Sequence, residues 1–317
     1  MSDVKTAEKL KVCLAIPTYN REEILIRTLK TAFALSPAPL EILVVDQTQV
    51  HEKGTALFLE EAERLGRIRL IRQDAPSLTL ARNRAIAETR SDIIVFIDDD
   101  VELPGNFIEK HSGNYADKNV QAVAGGVDQE HQPRYPKPPR GGNWPRLLDY
   151  KYFSVYTQTR TEGVGTLMGC NHSARVEILR RLGGYDSQYL GSALFEDTDM
   201  ALRIWESGGK IVFDPEARLR HLAAPTGGCR IHSAQKANPE WWVPFNRHYF
   251  AFRHLFPTWE FWWSVFAKDF RQTVLRKANL ARPWRIPRTF FAYFYSLTRA
   301  WVMALKWKNN KTQKART

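Results

Sequence analysis

Short apolar runs alternate with amphipathic segments along the first part of the chain. Each run has a length typical of a β-strand, and the runs cover residues 11–16, 40–45, 68–71 and 92–97. The segments between them repeat apolar residues at helical spacing, over residues 21–35, 55–65 and 78–89. This alternation predicts an α/β fold with a doubly wound, mostly parallel, Rossmann-like sheet. The second half is less regular: strands are predicted over residues 122–127 and 211–213, and helices within residues 171–183 and over residues 195–207.

Polar residues follow three of the predicted strands directly. They are Thr18, Tyr19, Asn20 and Arg21 after the first strand, Asp46 after the second, and Asp98, Asp99 and Asp100 after the fourth. Ligands of doubly wound sheets bind at the carboxyl ends of the strands. We therefore expect these side chains to line one crevice.

The three adjacent aspartates indicate a cation site. Neighbouring carboxylates repel each other unless water or a cation separates them, and Mg²⁺ or Mn²⁺ binds carboxylate oxygens together with substrate phosphates. A solvated turn or a helix N-cap is the alternative interpretation. The sequence has neither GxGxxG after the first strand nor GxxxxGK[ST], which argues against dinucleotide oxidoreductases and P-loop enzymes.

Six motifs stand in order between residues 12 and 221. They are IPTYNR (16–21), VVDQT (44–48), ARNRA (81–85), FIDDDVELP (96–104), GCNHSARVEILRRLGGYD (169–186) and FEDTDMALRIWESGG (195–209). The series resembles the motifs of family 2 glycosyltransferases, which have the GT-A fold. The resemblance implies metal-dependent transfer of a sugar from a nucleotide diphosphate sugar to an acceptor hydroxyl.

The resemblance also implies how the metal and the donor are held. Asp100 and His221 would bind Mn²⁺ or Mg²⁺, and the metal would neutralise the departing nucleoside diphosphate. An ordinary loop histidine is the alternative for His221, and His172 is a weaker candidate that faces the donor sugar or only packs. The nucleotide-sugar pocket would be formed by Pro17, Thr18, Tyr19, Arg21, Asp46, Arg82, Asp98, Asp99, Gly169 and Asn171.

Within this pocket, Asp46 would contact the base and Asp98 would lie near the ribose. Gln47 stands where the family often has a second acid, which leaves the identity of the base open. Gly169 would let the backbone approach the sugar closely. A solvated helix face is the alternative for Arg82.

Glu196 and Asp197 match the family's ED motif at the start of a predicted helix. A helix N-terminus stabilises an anion, and we expect Asp197 to be the general base for the acceptor hydroxyl, with Glu196 beside it. The family implies inversion at the anomeric carbon. The alternative is that Glu196, Asp197 and Asp199 are ordinary acids of a first helical turn.

The segment after this helix narrows the reaction class. No QxxRW sequence, the mark of processive polymerases in the family, is present. The resemblance therefore implies a non-processive enzyme of polysaccharide or glycolipid biosynthesis. Its acceptor would be a glycan or a lipid-linked molecule, and the Pro/Gly-rich loop at residues 133–146 would border the acceptor site. Two alternative functions stay open. One is a nucleotidyltransferase, and the other is a related binding module that has no catalytic activity.

The net charge of +12 lies in the last part of the chain. Of 46 Lys/Arg and 34 Asp/Glu residues, the segment 253–317 holds 14 and 2, so the first 252 residues hold 32 of each. We predict a catalytic domain over residues 1–252, with a nucleotide-sugar half (about 1–127) and an acceptor half (about 128–252). A helical, basic and aromatic extension would follow over residues 253–317.

The extension allows three interpretations. It attaches to an anionic membrane surface, or it packs its aromatic residues onto the catalytic domain, and the two can coexist. Nucleic-acid binding, the third, has no motif behind it, and we expect no such partner. No run of about 20 apolar residues predicts a membrane span.

The cysteines and the N-terminal sequence bear on the compartment. Cys13, Cys170 and Cys229 lie far apart, which favours reduced thiols, and Cys170 is expected to be a small buried filler. The N-terminus lacks signal-peptide features. These observations predict a cytoplasmic protein, and the membrane interpretation of the extension would place it on the cytoplasmic face of the membrane.

Overall fold

The computed structural model describes residues 10–129, 160–228 and 242–314. The loop predicted over residues 133–146 and Cys229 lie outside the described residues. The first elements alternate as the apolar pattern predicts. They are β1 (Val12–Thr18), α1 (Glu23–Ala32), β2 (Glu41–Asp46), α2 (Lys53–Arg64), β3 (Arg69–Arg72), α3 (Leu78–Glu88) and β4 (Ile93–Ile97).

The middle of the chain adds five strands and three helices. They are β5 (Val101–Glu102), α4 (Phe107–Ser112), β6 (Val120–Gln129), β7 (Thr161–Glu162), β8 (Asn171–Arg175), α5 (Val176–Arg181), α6 (Glu196–Glu206) and β9 (Lys210–His221). The C-terminal part is helical. It contains α7 (Trp242–His254), α8 (Trp259–Trp262), a π-helical segment (Trp263–Asp269), α9 (Phe270–Thr273), α10 (Lys277–Leu280) and α11 (Ile286–Lys314).

The nine strands of the described residues form one sheet. Eight of them follow the order β3-β2-β1-β4-β8-β6-β9-β5, and β7 pairs with β9 outside this order. The four strands β3, β2, β1 and β4 are parallel, as predicted. The second half is mixed: β8 runs antiparallel to both β4 and β6, whereas β6 and β9 are parallel. Strand β8 was not predicted, because its five residues run directly into α5 and are too few to show a period of two.

Helices cover both faces of the sheet, which confirms the doubly wound arrangement. Leu14 and Ile16 of β1 pack on one face with α1, α2 and α4, whereas Cys13 and Ala15 pack on the other with α3, α5 and α6. The pleat of the strand causes this alternation. The polar loops at the carboxyl ends of β1, β2 and β4 are left at one edge of the sheet, where the site lies.

The C-terminal helices build a third core. Phe245 and Tyr249 of α7 pack with Tyr293 and Leu297 of α11, and this core extends to Leu202 of α6. The domain boundary predicted after residue 252 falls inside α7. The division into two domains stays a prediction. Among the described residues, no helix combines the length and the apolar character that crossing a membrane requires.

Candidate active site

A cavity of about 420 Å³ opens at the carboxyl ends of the parallel strands. The crevice predicted there is confirmed in part: Thr18, Tyr19, Arg21, Asp98 and Asp99 line it, whereas Asn20, Asp46 and Asp100 are not among its lining residues. Gln47 and Cys170 also face it. The predicted site residues in its wall are Pro17, Thr18, Tyr19, Arg21, Arg82, Asp98, Asp99, Gly169, Glu196, Asp197 and His221.

The middle aspartate of the acidic triplet is held by hydrogen bonds from neighbouring side chains. Asp99 accepts hydrogen bonds from the Thr18 hydroxyl at 2.7 Å and from Arg21 Nε at 3.1 Å. Burial raises the pKa of Asp99 to about 7, although Arg21 and Thr18 oppose the shift. Arg21 also lies 3.2 Å from Asp100 Oδ2. Asp99 therefore positions Thr18 and Arg21 on the cavity wall.

The segment after β9 closes over this network. The backbone N–H of Ala224 donates to Asp100 Oδ2 at 2.9 Å. At Gly227, where φ is +80°, a Cβ would lie 2.3 Å from the carbonyl oxygen of Asn20 and 2.6 Å from the Arg21 side chain. Only glycine fits there. This segment was not predicted from the sequence, although the paired glycines shortly after the predicted metal ligand were a usable signal.

An acidic and imidazole cluster lies at the same wall, where Asp98 and His221 line the cavity and Asp100 is buried beside them. His221 Nε2 is 3.2 Å from Asp100 Oδ1 and 3.6 Å from Asp98 Oδ2. Burial disfavours the imidazolium, but the interactions with Asp100 and Asp98 outweigh it and raise the pKa of His221 to about 9. The cluster therefore attracts positive charge.

The donor set fits a divalent metal ion. One ligand atom each of Asp98, Cys170 and His221 lies within 4.8 Å of the others. Within the described residues, the buried nitrogens of His221 have no hydrogen bond of good geometry. Carboxylate oxygens with an imidazole nitrogen suit Mn²⁺. Cys170 is half-buried, packs against the hydrophobic core and also lines the cavity beside this cluster, so its expected role as a buried core residue is confirmed only in part.

A second acidic pair stands at the N-terminus of α6. Arg82 forms an ion pair with Glu196 and donates to the carbonyl of Gly169 at 2.8 Å. Asp197 Oδ1 accepts from the Thr198 N–H at 2.6 Å. Arg82 is only 1% exposed, so the alternative of a solvated helix face is wrong.

Burial controls the charge of this pair. Burial and the neighbouring Asp197 raise the pKa of Glu196, and burial raises the pKa of Asp197, while Arg82 opposes both shifts. The N-terminus of α6 favours the charged form of Asp197, whereas burial raises the pKa of its carboxyl above the ordinary value. A Cβ on Gly169 would lie 3.6 Å from Asp197 Oδ2, and the backbone of Gly169 also hydrogen-bonds the Asp197 carboxylate, so glycine at this position lets the backbone approach the acid closely.

Comparison with known proteins identifies the family. Residues 13–183, more than half of the chain, match the family described as "Glycosyl transferase family 2". The chain belongs to glycosyl transferase family 2. Its mixed sheet and the strand-end cavity are those of the GT-A fold, and solved structures with this fold resemble it over most of its length.

Two curated relatives are similar in sequence to this family 2 chain. It is 25% identical over 213 residues to the succinoglycan biosynthesis protein ExoM of Rhizobium meliloti, covering 66% of either chain. It is 27% identical over 229 residues to the probable glycosyltransferase YdaM of Bacillus subtilis, covering 65% of this chain and 49% of YdaM. The similarity thus spans between about half and two thirds of these relatives.

Two solved structures show the fold. The mannosyltransferase PcManGT from Pyrobaculum calidifontis, in complex with GDP-Man and Mn²⁺, is 17% identical with a TM-score of 0.52 and covers 98% of this chain and 81% of its own. GalNAc-T7 with UDP, GalNAc and Mn²⁺ is 16% identical with a TM-score of 0.58. The match covers 77% of this chain and 48% of the GalNAc-T7 chain.

Two predicted pocket residues of this family 2 chain are not on the cavity wall. The first, Asp46, is buried, accepts from His51 at 2.9 Å and pairs with Arg72. Its neighbour Gln47 reaches the cavity instead. The predicted contact of Asp46 with the nucleotide base is therefore wrong in this structure, because partners within the protein already bind its carboxylate.

The second is Asn171, which is a core residue like its neighbour His172. Asn171 donates to the carbonyl oxygens of Gly126 at 2.7 Å and Ala217 at 2.8 Å, so its predicted contact with the donor is corrected. His172 hydrogen-bonds the Tyr185 hydroxyl at 2.6 Å, and burial lowers the pKa of His172 to about 3. The packing interpretation of His172 is confirmed.

Proposed function

We propose that this chain is an inverting, metal-dependent, non-processive glycosyltransferase that moves a sugar from a nucleotide diphosphate sugar to an acceptor hydroxyl. The observation that carries the proposal is one cavity with two kinds of acidic group. A cluster that attracts a cation holds Asp98, Asp100 and His221. A buried acid, Asp197, lines the same cavity.

The donor would lie across the carboxyl ends of the parallel strands. Asp98, Asp100 and His221 would hold Mn²⁺, with Mg²⁺ as the alternative, and a metal bound there supplies neutralisation of the charge on the departing diphosphate. The structures of PcManGT and GalNAc-T7 contain Mn²⁺ with a nucleotide or nucleotide sugar, which supports this donor class. Thr18, held by Asp99, and Tyr19 would flank the nucleotide.

Asp197 is the better candidate for the general base. Glu196 is engaged by the Arg82 guanidinium, whereas Asp197 Oδ2 faces Gly169. In one displacement, the acceptor hydroxyl gives its proton to Asp197 and its oxygen bonds to the anomeric carbon. The bond from that carbon to the diphosphate oxygen breaks, and its electron pair leaves with the nucleoside diphosphate. A raised carboxyl pKa suits proton transfer near neutral pH.

The acceptor and the pathway are proposed from a relative and from the sequence. The name of ExoM refers to succinoglycan biosynthesis, which supports a role in polysaccharide or glycolipid synthesis with a glycan or lipid-linked acceptor. The absence of a QxxRW sequence supports a single transfer. A cytoplasmic location at the membrane surface completes the proposal.

The test is a donor screen with the full chain. UDP-, GDP- and dTDP-sugars are supplied with Mn²⁺, release of nucleoside diphosphate is measured, and NMR determines the anomeric configuration of the product. We expect one donor class to react with inversion. Asp197→Asn should abolish the reaction, whereas Asp117→Asn, at an exposed surface acid, should not. Retention of configuration, or an active Asp197→Asn variant, would refute the mechanism.

A further inference from the structure

Helix α11 has apolar side chains on its outer face as well as on its inner face. Inward, Tyr293, Leu297 and Ala300 are buried in the third core. Outward, six apolar side chains are 36–73% exposed: Phe290, Phe291, Phe294, Trp301, Val302 and Leu305. An ordinary surface helix has one apolar stripe, so the second stripe needs a separate explanation.

A neighbouring segment extends this surface. The Phe270 ring of α9 lies 6.2 Å from Phe290 and 6.3 Å from Phe294, so the two segments are adjacent. Four further exposed aromatic residues belong to α8 and the π-helical segment: Trp259, Trp262, Trp263 and Phe266. We call these four and the six outward residues of α11 together the aromatic face.

A basic stripe accompanies the aromatic face. Arg288, Arg299 and Lys306 are exposed on α11. Their separations of 11 and 18 residues from Arg288 correspond to about three and five helical turns. They therefore form one line along the helix. The segment 253–317 as a whole holds 14 basic and 2 acidic residues.

We propose that the aromatic face docks on an anionic lipid bilayer, with α11 lying in the plane of the interface. Large exposed apolar patches mark interaction sites, and ten apolar side chains are exposed here. Tryptophan side chains favour the membrane interface, and Lys/Arg residues are drawn to anionic lipid. The inner face of α11 is packed in protein, so only the outer face can meet lipid.

Charge argues against the competing occupant. A second copy of the chain would bring its own basic stripe against the first, and like charges placed together cost free energy. The first 252 residues carry equal numbers of basic and acidic groups, so they offer no net negative charge to complement the stripe. An anionic bilayer supplies both the apolar phase and the negative charge.

The helices that carry the aromatic face pack on the same core that backs the cavity. Phe195 lines the cavity, and its ring stacks 5.1 Å from Phe250 of α7. Leu78 also lines the cavity and packs against the third core. Docking would hold this cavity near a lipid-linked acceptor. That last point rests on the proposed function, whereas docking itself does not.

The electrostatic test uses flotation of the full chain with phosphatidylcholine vesicles, with and without phosphatidylglycerol. We expect binding only to the anionic vesicles. The triple variant Arg288→Gln, Arg299→Gln, Lys306→Gln should bind roughly 100-fold more weakly, from about fivefold for each basic residue. The control removes three exposed basic residues of the catalytic part, Lys30→Gln, Arg90→Gln, Lys118→Gln, and should bind like the parent chain.

The apolar test compares two tryptophans of equal exposure. Trp301 in the aromatic face and Trp205 on α6 are each 47% exposed. Trp301→Ser should weaken vesicle binding by about tenfold or more, and Trp205→Ser should leave it unchanged. Thermal unfolding of each variant confirms that it is folded.

Three results would overturn the proposal. They are no binding of the parent chain to anionic vesicles, equal losses in the two serine variants, and a dimer in solution that Trp301→Ser dissociates without any vesicle binding. Nucleotide titration of the parent chain separates the two proposals. Vesicle binding without nucleotide binding would contradict the enzymatic function alone.

Discussion

The Arg82 guanidinium supplies a buried positive charge beside two carboxylates at the start of α6. Its side chain is 2% exposed and pairs with Glu196, which is 5% exposed. Arg82→Met keeps an unbranched side chain but leaves Glu196 and Asp197 buried without this cation. We expect the variant to fold with a large, pH-dependent loss of stability.

The magnitude follows from the cost of an unpaired buried charge. Removing one partner of a buried ion pair costs about 3–5 kcal/mol. Burial already raises the pKa of Glu196 above its ordinary value, and Arg82 opposes that shift, so the pKa of Glu196 rises further in the variant. A folded-state carboxyl with a raised pKa binds its proton more tightly than the unfolded one, and stability is lost as the pH rises through that value. The penalty should therefore be small at about pH 5.5 and large only at about pH 9.5, above the parent's Glu196 pKa of about 8.

Urea unfolding followed by tryptophan fluorescence measures this effect at both pH values. The double variant Arg82→Met, Glu196→Gln removes one of the stranded charges and should recover more than half of the loss at high pH. Arg64→Met, at an exposed ion pair with Glu61, should show no measurable change. An equal loss at both pH values, or no recovery in the double variant, would refute the reasoning.

Three further predictions concern the cavity and its supports. If Asp197 is the base, the transfer rate should fall on the acid side with an apparent pKa above the ordinary value of 3.8, since burial raises its pKa; a rate–pH profile that stays flat to about pH 4 would contradict this. Iodoacetamide should label the half-buried Cys170, and Mn²⁺ with the cognate nucleotide should slow labelling in peptide mass spectra; equal rates would place the ligand elsewhere. Gly125→Ala should lower stability by about 3 kcal/mol in urea unfolding, because its Cβ would lie 2.2 Å from the carbonyl oxygen of Ala217, whereas Gly113→Ala meets nothing within 4 Å and should be tolerated.

The sequence predicts the first half of the fold well because its signals are local. The apolar run of β4, from Ile93 to Ile97, is buried at every position, and the aspartates after it reach the predicted crevice. The mixed half of the sheet depends on pairing between distant segments. Strand β6 pairs in parallel with β9 and antiparallel with β8, and no periodicity in the sequence records that choice.

The site shows the same division between local and distant information. The order of motifs points to Asp98 and Asp197, and both face the cavity. The partners that occupy side chains come from far along the chain, as with Arg82 and Glu196, 114 positions apart. Whether a motif residue such as Asn171 faces the ligand or the core depends on those partners, which spacing does not reveal.

The central claim is that the cavity binds a nucleoside diphosphate through a metal ion. Calorimetric titration of the purified chain with UDP, GDP and dTDP, each with and without Mn²⁺, tests it most directly. We predict binding of one nucleotide that depends on Mn²⁺ and is lost in Asp98→Asn. Absence of binding to all three nucleotides by the folded chain would contradict the claim and assign the acidic cluster another purpose.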